Sequence, residues 1–174
     1  MKKFLESTYY VDYTAPIIIQ KAKELFLEDM TDVEKAEMAF YFVRDEIPHS
    51  FDCDTTIVTA RASEVLEYKT GICHAKSNLL AALLRSQGIP AGFRYQHLTL
   101  ADDDSLGYCL HCYNAVFLEG KWIELDARGN KEGIDAQFSL TERKLAFMPR
   151  DEYDANNALG CKSLKELFIE RKED

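Results

Sequence analysis

In TGICHAKSNLLAALLRSQGIP, residues 70–90, the side chains of Leu79, Leu80, Leu83 and Leu84 occupy more than one side of a helix, with Ala75, Ala81 and Ala82 between them. A helix without a polar face has to be buried, so the rest of the chain must be arranged around this stretch. Gly88 suits the left-handed position past a helix end and Pro90 forbids continuation. The helix is expected to begin near Cys73 and end near Gln87. A thiol is thereby set at the point where a loop turns into a core helix.

Two helices are expected ahead of it. Residues 15–28 carry Ile18, Ala22, Leu25 and Phe26 at helical spacing. TDVEKAEMAFYFVRDEI opens with Thr31 and Glu34 placed as a capping box, has Val33, Ala36, Ala39, Phe40 and Val43 as its core face, and stops before Pro48. IPHSFDCDTT reads as loop and SEVLEY as a short helix capped by Ser63.

After the buried helix the period changes. AGFRYQHLTL alternates as a strand does, with Phe93, Tyr95 and His97 on one face. ADDDSLGY is a polar loop, and CLHCYNAVFLEGKWIELDARGN reads as two strands joined tightly around Glu119-Gly120. Capping boxes at Ser139/Glu142 and Ser163/Glu166 predict short helices to follow. Helices first, then an antiparallel sheet, then short helices define an α+β fold. With 174 residues and neither repeat nor Pro/Gly-rich linker, residues 1–174 are expected to form a single domain.

Composition narrows the function classes. A net charge of −9 without a Lys/Arg cluster argues against nucleic acid as a partner. No apolar run near the N-terminus has signal-peptide or membrane-spanning length, so the chain is expected to be cytoplasmic and to have no membrane partner. Five cysteines, an odd number, favour reduced thiols over a disulfide framework.

The first turn of a helix has unpaired N–H groups and a partial positive charge that favour thiolate, so Cys73 is either core filler or a reactive group. A nucleophile needs a base, and the base needs a group to orient it. His74 adjoins Cys73 and should leave the helix about 100° away, a poor angle for sharing a proton. His49 lies in a loop and His97 on the first strand. His111 differs because of its hairpin. A two-residue turn at Glu119-Gly120 pairs Leu118 with Lys121 and sets Phe117 opposite Trp122, Tyr113 opposite Asp126 and His111 opposite Arg128. His111 and Asp126 then share a face as diagonal neighbours, roughly 7–8 Å apart at the backbone. A three-residue turn would separate them.

TGICHAKSNLLAALLRSQGIP resembles the nucleophile helix of the transglutaminase-like superfamily, and HCYNAVFLEGKWIELDA resembles that family's second signature, with His111, Tyr113, Trp122 and Asp126 at the matching places. FVRDEI and ASEVLEYKTGIC fit the usual approach to the cysteine, and the likeness covers residues 35–130. It implies a papain-like α+β fold and a Cys73–His111–Asp126 triad. The activity it implies is cysteine-dependent acyl transfer on amide or peptide bonds, through a thioester, with no cofactor. Peptides, proteins or small amides would be the substrates. The family includes crosslinking transglutaminases, cysteine peptidases and deglycosylating amidases. Accessory β domains are missing here and ADDDSLG lacks the EF-hand's alternating ligands, which favours a small bacterial member that does not use calcium. Two further site candidates are His49, as a second donor to an oxyanion, and Arg128, for an acidic substrate group or a surface salt bridge.

Other function classes compete. CLHC has a zinc-ligand spacing in Cys109 and Cys112, but no second ligand pair accompanies it, and within a strand the two thiols face opposite ways. The fold could also serve as a catalytically silent binding module. Neither oligomeric state nor the choice between hydrolysis and transfer is readable from these residues.

Overall fold

The computed structural model describes residues 1–53, 55–99 and 108–148. The acidic loop 101–107, Cys161, the Ser163/Glu166 pair and the side chain of His97 lie outside the described residues. Four helices, α1 (Pro16–Leu25), α2 (Asp32–Glu46), α3 (Ala62–Tyr68) and α4 (Cys73–Ser86), precede three strands, β1 (Ala91–Thr99), β2 (Tyr108–Leu118) and β3 (Lys121–Leu125). The strands form one antiparallel sheet in the order β1-β2-β3. The fold is α+β, and no described helix is long and apolar enough to cross a membrane.

Helix α4 is the centre. Helices α1, α2 and α3 contact it from one side and the sheet from the other. Every residue from Ala75 to Arg85 is buried. Its four leucines are fully inaccessible, each contributing about 2 kcal/mol of burial. The polar residues on this helix are there to stitch it in place. Ser77 Oγ donates to Cys112 O at 3.2 Å and Asn78 Nδ2 to Ala60 O at 2.7 Å, while Asn114 Nδ2 returns a bond to Ser77 O at 3.0 Å. Gly88, at φ +77°, lets the chain reverse, and Ile89 N reaches back to Leu84 O at 3.1 Å.

The capping box of α2 forms in both directions: Glu34 N donates to Thr31 Oγ1 at 3.3 Å, and Thr31 N donates to Glu34 Oε2 at 2.8 Å. Ser63 does not cap α3. The helix starts one residue earlier, and Asp12 comes from upstream to accept from Ser63 N at 3.0 Å and Ser63 Oγ at 2.6 Å. With the start moved forward, Ser63 lies inside the first turn, and a remote carboxylate takes its free N–H in place of a local cap. Ser139 does accept from Glu142 N at 3.0 Å, yet no helix follows among the described residues. The segment instead runs as bends and irregular chain and buries Leu145 and Ala146, with its backbone groups bonded to Gln137, Asp126 and Gln96.

The hairpin has the tight turn required. Glu119 and Gly120 both have positive φ, 50° and 80°, as a type I′ turn demands. Leu118 pairs with Lys121 and Phe117 with Trp122. The ladder ends at Asn114–Leu125, so Asp126 sits just past the strand instead of being paired with Tyr113.

Leu83→Ala opens a cavity at the middle of the α4 contact surface. It is expected to lower unfolding free energy by about 3 kcal/mol, measured by urea denaturation. A loss below about 1 kcal/mol would mean that α4 is not the close-packed centre.

Candidate active site

Cys73 is the first residue of α4 and is half-buried. The whole helix lies behind it, so its N-terminal end is where a buried element meets the surface. His111 projects from β2 and is buried. Its Nε2 lies 2.7 Å from Oδ2 of the fully buried Asp126, which leaves Nδ1 for the thiol. Cys73 and His111 are close enough for each to shift the protonation of the other. The three groups come together from a helix start, a strand and a strand end, in the order expected from the sequence.

Asp126 is fully engaged. Besides His111, it accepts Ala146 N at 3.0 Å on Oδ2 and Arg128 N at 3.2 Å on Oδ1. Three donors therefore converge on one buried carboxylate. Phe147, next to Ala146, meets the His111 ring edge-on at 5.0 Å between centroids and so shields the imidazole–carboxylate pair from water.

Two more imidazoles reach the thiol. His74 Nδ1 lies 3.4 Å from Cys73 Sγ, against the expectation of a poor angle. Side chains in a first helical turn all lean towards the N-terminus, which brings adjacent residues closer than the 100° step suggests. His49 is buried, and its backbone bridges Gly71, two residues ahead of Cys73. Its Nδ1 is 3.2 Å from Phe51 N, and its Nε2 is 3.1 Å from Cys73 N. A neutral ring has one lone pair, so it cannot accept from both. The Cys73 N–H points at Nε2 and the Phe51 N–H at Nδ1, so the ring accepts from one of the two at a time.

Burial alone would raise the Cys73 thiol, but hydrogen bonds to His111, His49 and His74 overcome it and bring the thiol down to about 4. Burial likewise opposes charge on His111. The Asp126 charge and hydrogen bond, then the bond to Cys73, lift the imidazole to about 9. Between these values the pair exists as thiolate and imidazolium. Cys109, exposed and two residues before His111 on β2, is pushed up by burial and by the charge of Cys73.

Arg128 is turned away from this chemistry. It is buried rather than on the surface, and its guanidinium grips both oxygens of Asp52 at 2.6 and 3.2 Å. That bond holds the Asp52 carboxyl down at about 2, where Lys131 also contributes. Cys109 is exposed and Cys112 buried, and no cluster of three or more His, Cys, Asp or Glu suited to a metal ion exists among the described residues. The four described cysteines are free thiols. Phe147 and Lys76 (buried one turn beyond Cys73) were not singled out from sequence, and His74 was weighed there and set aside. Only Lys76 left a signal there, as a cation inside an otherwise apolar helix.

Iodoacetamide should alkylate Cys73 at a rate that is flat across pH 5–8 and falls only as the thiolate is protonated near 4, with Cys109 reacting later. Peptide mapping of the labelled protein reads both. A Cys73 rate that climbs through pH 8–9, as an ordinary thiol's does, would overturn the ion pair.

The model of the Transglutaminase-like superfamily matches residues 19–127. Among solved structures, a candidate cysteine protease from Cytophaga hutchinsonii superposes with a TM-score of 0.57 at 16% identity, over 73% of this chain and 41% of that one. A candidate protease from Parabacteroides distasonis gives a TM-score of 0.47 at 18% identity, over 71% and 24%. The chain thus spans less than half the length of either protein. No curated protein sequence matches it. The family match takes in α2, α3, α4 and the whole sheet, and it ends one residue after Asp126: the chain belongs to the transglutaminase-like superfamily.

Proposed function

We propose that the protein is a thiol acyl-transfer enzyme acting on amide or peptide bonds, with Cys73 as nucleophile, His111 as proton carrier and Asp126 as its orienting carboxylate. The observation that carries this reading is the buried 2.7 Å His111–Asp126 pair joined to a thiol held at about 4. Nothing in core packing calls for an ion pair at a helix start. Catalytic groups, by contrast, are where such displaced pKa values collect.

The Cys73 thiolate attacks the carbonyl carbon, forming a C–S bond while the carbonyl π electrons move to oxygen. The Cys73 N–H, which donates to His49 Nε2 in the resting site, receives that oxyanion, and His49 is the candidate second contact to it. As the tetrahedral adduct collapses, the C–N bond breaks and His111 passes its proton to the departing amine. Water or a second amine then attacks the thioester, His111 takes the incoming proton, and the thiolate leaves. Asp126 keeps Nδ1 aimed at the sulfur and stabilises the imidazolium. Every step uses protein groups and substrate alone.

Substrates are peptides, proteins or small amides. The competing reading is a silent binding module, in which the same fold carries no turnover. A p-nitrophenyl ester tests the two directly. Wild type should release p-nitrophenol and show an acyl adduct on Cys73 by mass spectrometry, whereas Cys73→Ala should do neither. Asp126→Asn should retain its fold by circular dichroism and lower kcat by about 10³-fold or more. His49→Ala should lower it by about 10²-fold. Adding a primary amine separates the two fates, because transfer gives an amide product and hydrolysis an acid. Equal, negligible release from wild type and Cys73→Ala would leave the binding module.

A further inference from the structure

Gln96 stands directly opposite His111 in the β1–β2 ladder, so the two side chains share one face of the sheet as immediate neighbours. The glutamine is buried. Burying a side-chain amide costs free energy unless its donor and acceptor both find partners. Here the donor end does: Nε2 donates to Phe147 O at 3.0 Å, while Oε1 finds no partner among the described residues. A methionine would fill a similar volume without that cost. What the amide contributes is therefore one bond, and that bond ends on the residue whose ring covers His111.

The order of the sheet gives the bond its leverage. Strand β2 lies between β1 and β3, so His111 has Gln96 on one flank and Asp126, just past β3, on the other. Residues 146–147 pass from one flank to the other and are tied on both. Ala146 N donates to Asp126 Oδ2 at 3.0 Å, and Phe147 O accepts from Gln96. Between these anchors the Phe147 ring meets the His111 ring edge-on, with 84° between planes and 5.0 Å between centroids. The Ala146 bond alone would fix one end of this crossing and leave the other free to turn. Phe147 is only partly buried, so a released ring has solvent to move into.

We infer that Gln96 is a positioning residue: its side-chain amide anchors Phe147 over the His111 imidazole and so keeps water from the His111–Asp126 pair. Its effect on turnover rests on the acyl-transfer reading; the anchoring rests on the Gln96–Phe147–His111 geometry alone.

Gln96→Met removes the bond and keeps the volume. For a p-nitrophenyl ester it should lower kcat about tenfold, the worth of one buried hydrogen bond, with KM unchanged to within about twofold. Amide hydrogen exchange adds a readout free of turnover. The Ala146 N–H should exchange at least about tenfold faster in Gln96→Met, with the amides of α4 unchanged. Because Gln96 acts through Phe147, the two losses should not add: the double variant should turn over no more slowly than Phe147→Ala alone. Gln96→Leu, which lacks the same bond, serves for each comparison where the methionine variant does not fold. An unchanged ester rate, unchanged exchange at Ala146, faster exchange throughout α4, or losses that multiply in the double variant would overturn the role of Gln96. Absence of ester turnover by wild type would instead sink the acyl-transfer reading, and exchange at Ala146 would still decide Gln96.

Discussion

A helix buried on all sides can reach solvent only at its ends, and that single constraint organises this molecule. From Ala75 to Arg85 nothing on α4 is accessible, while Cys73 and His74 are half-exposed. The unpaired N–H groups of the first turn and the helix dipole are thereby delivered to one surface point. The opposite end is tied down as firmly. Arg85 donates twice to Ala91 O, at 3.0 and 2.7 Å, and its third contact reaches Glu6 O at 2.7 Å. Cys73 therefore sits on a rigid platform, which is what the proposed reaction, needing fixed distances, requires.

The charge of the whole chain does not set the chemistry at that point. The protein carries a net −9, yet the thiol is surrounded by His49, His74 and His111, and the lysine one turn on is buried behind it. Local hydrogen bonds in a partly desolvated setting outweigh distant surface acids, which water screens. The acid close enough to matter is Asp126, and it acts through the imidazole rather than on the sulfur. Net charge consequently says little about this site; the order sulfur, imidazole, carboxylate says most of it.

The residues legible from sequence were those governed by short-range rules. A two-residue Glu-Gly turn has one register, and the register decides which face His111 and Asp126 share. Leucine spacing located α4, and Gly88-Pro90 its end. What escaped was settled by partners distant in sequence. Ser63 lost its capping role to Asp12, 51 residues away. Ser139 kept its local bond, but the helix behind it gave way to contacts with Gln96 and Asp126. His74 was misread because a flat angular count ignores the lean of side chains in a first turn. His49 was visible as a candidate, but not the competition of the Phe51 and Cys73 N–H groups for its ring.

Asp126 shows how closing the fold and preparing the chemistry become one event. It stands immediately past the last rung of the sheet, where a carboxylate has no strand partner and would ordinarily face water. Burial there is tolerable only because three N–H groups converge on it, and they come from β2, from the turn at Arg128 and from the irregular segment at Ala146. The Ala146 bond then sets Phe147 against the His111 ring, which removes water from the pair and strengthens its electrostatics. The segment expected to make a helix after Ser139 is more useful as irregular chain. It satisfies the carboxylate with its backbone and covers the imidazole with its next side chain, so the orientation of His111 is held by the same residues that complete the domain.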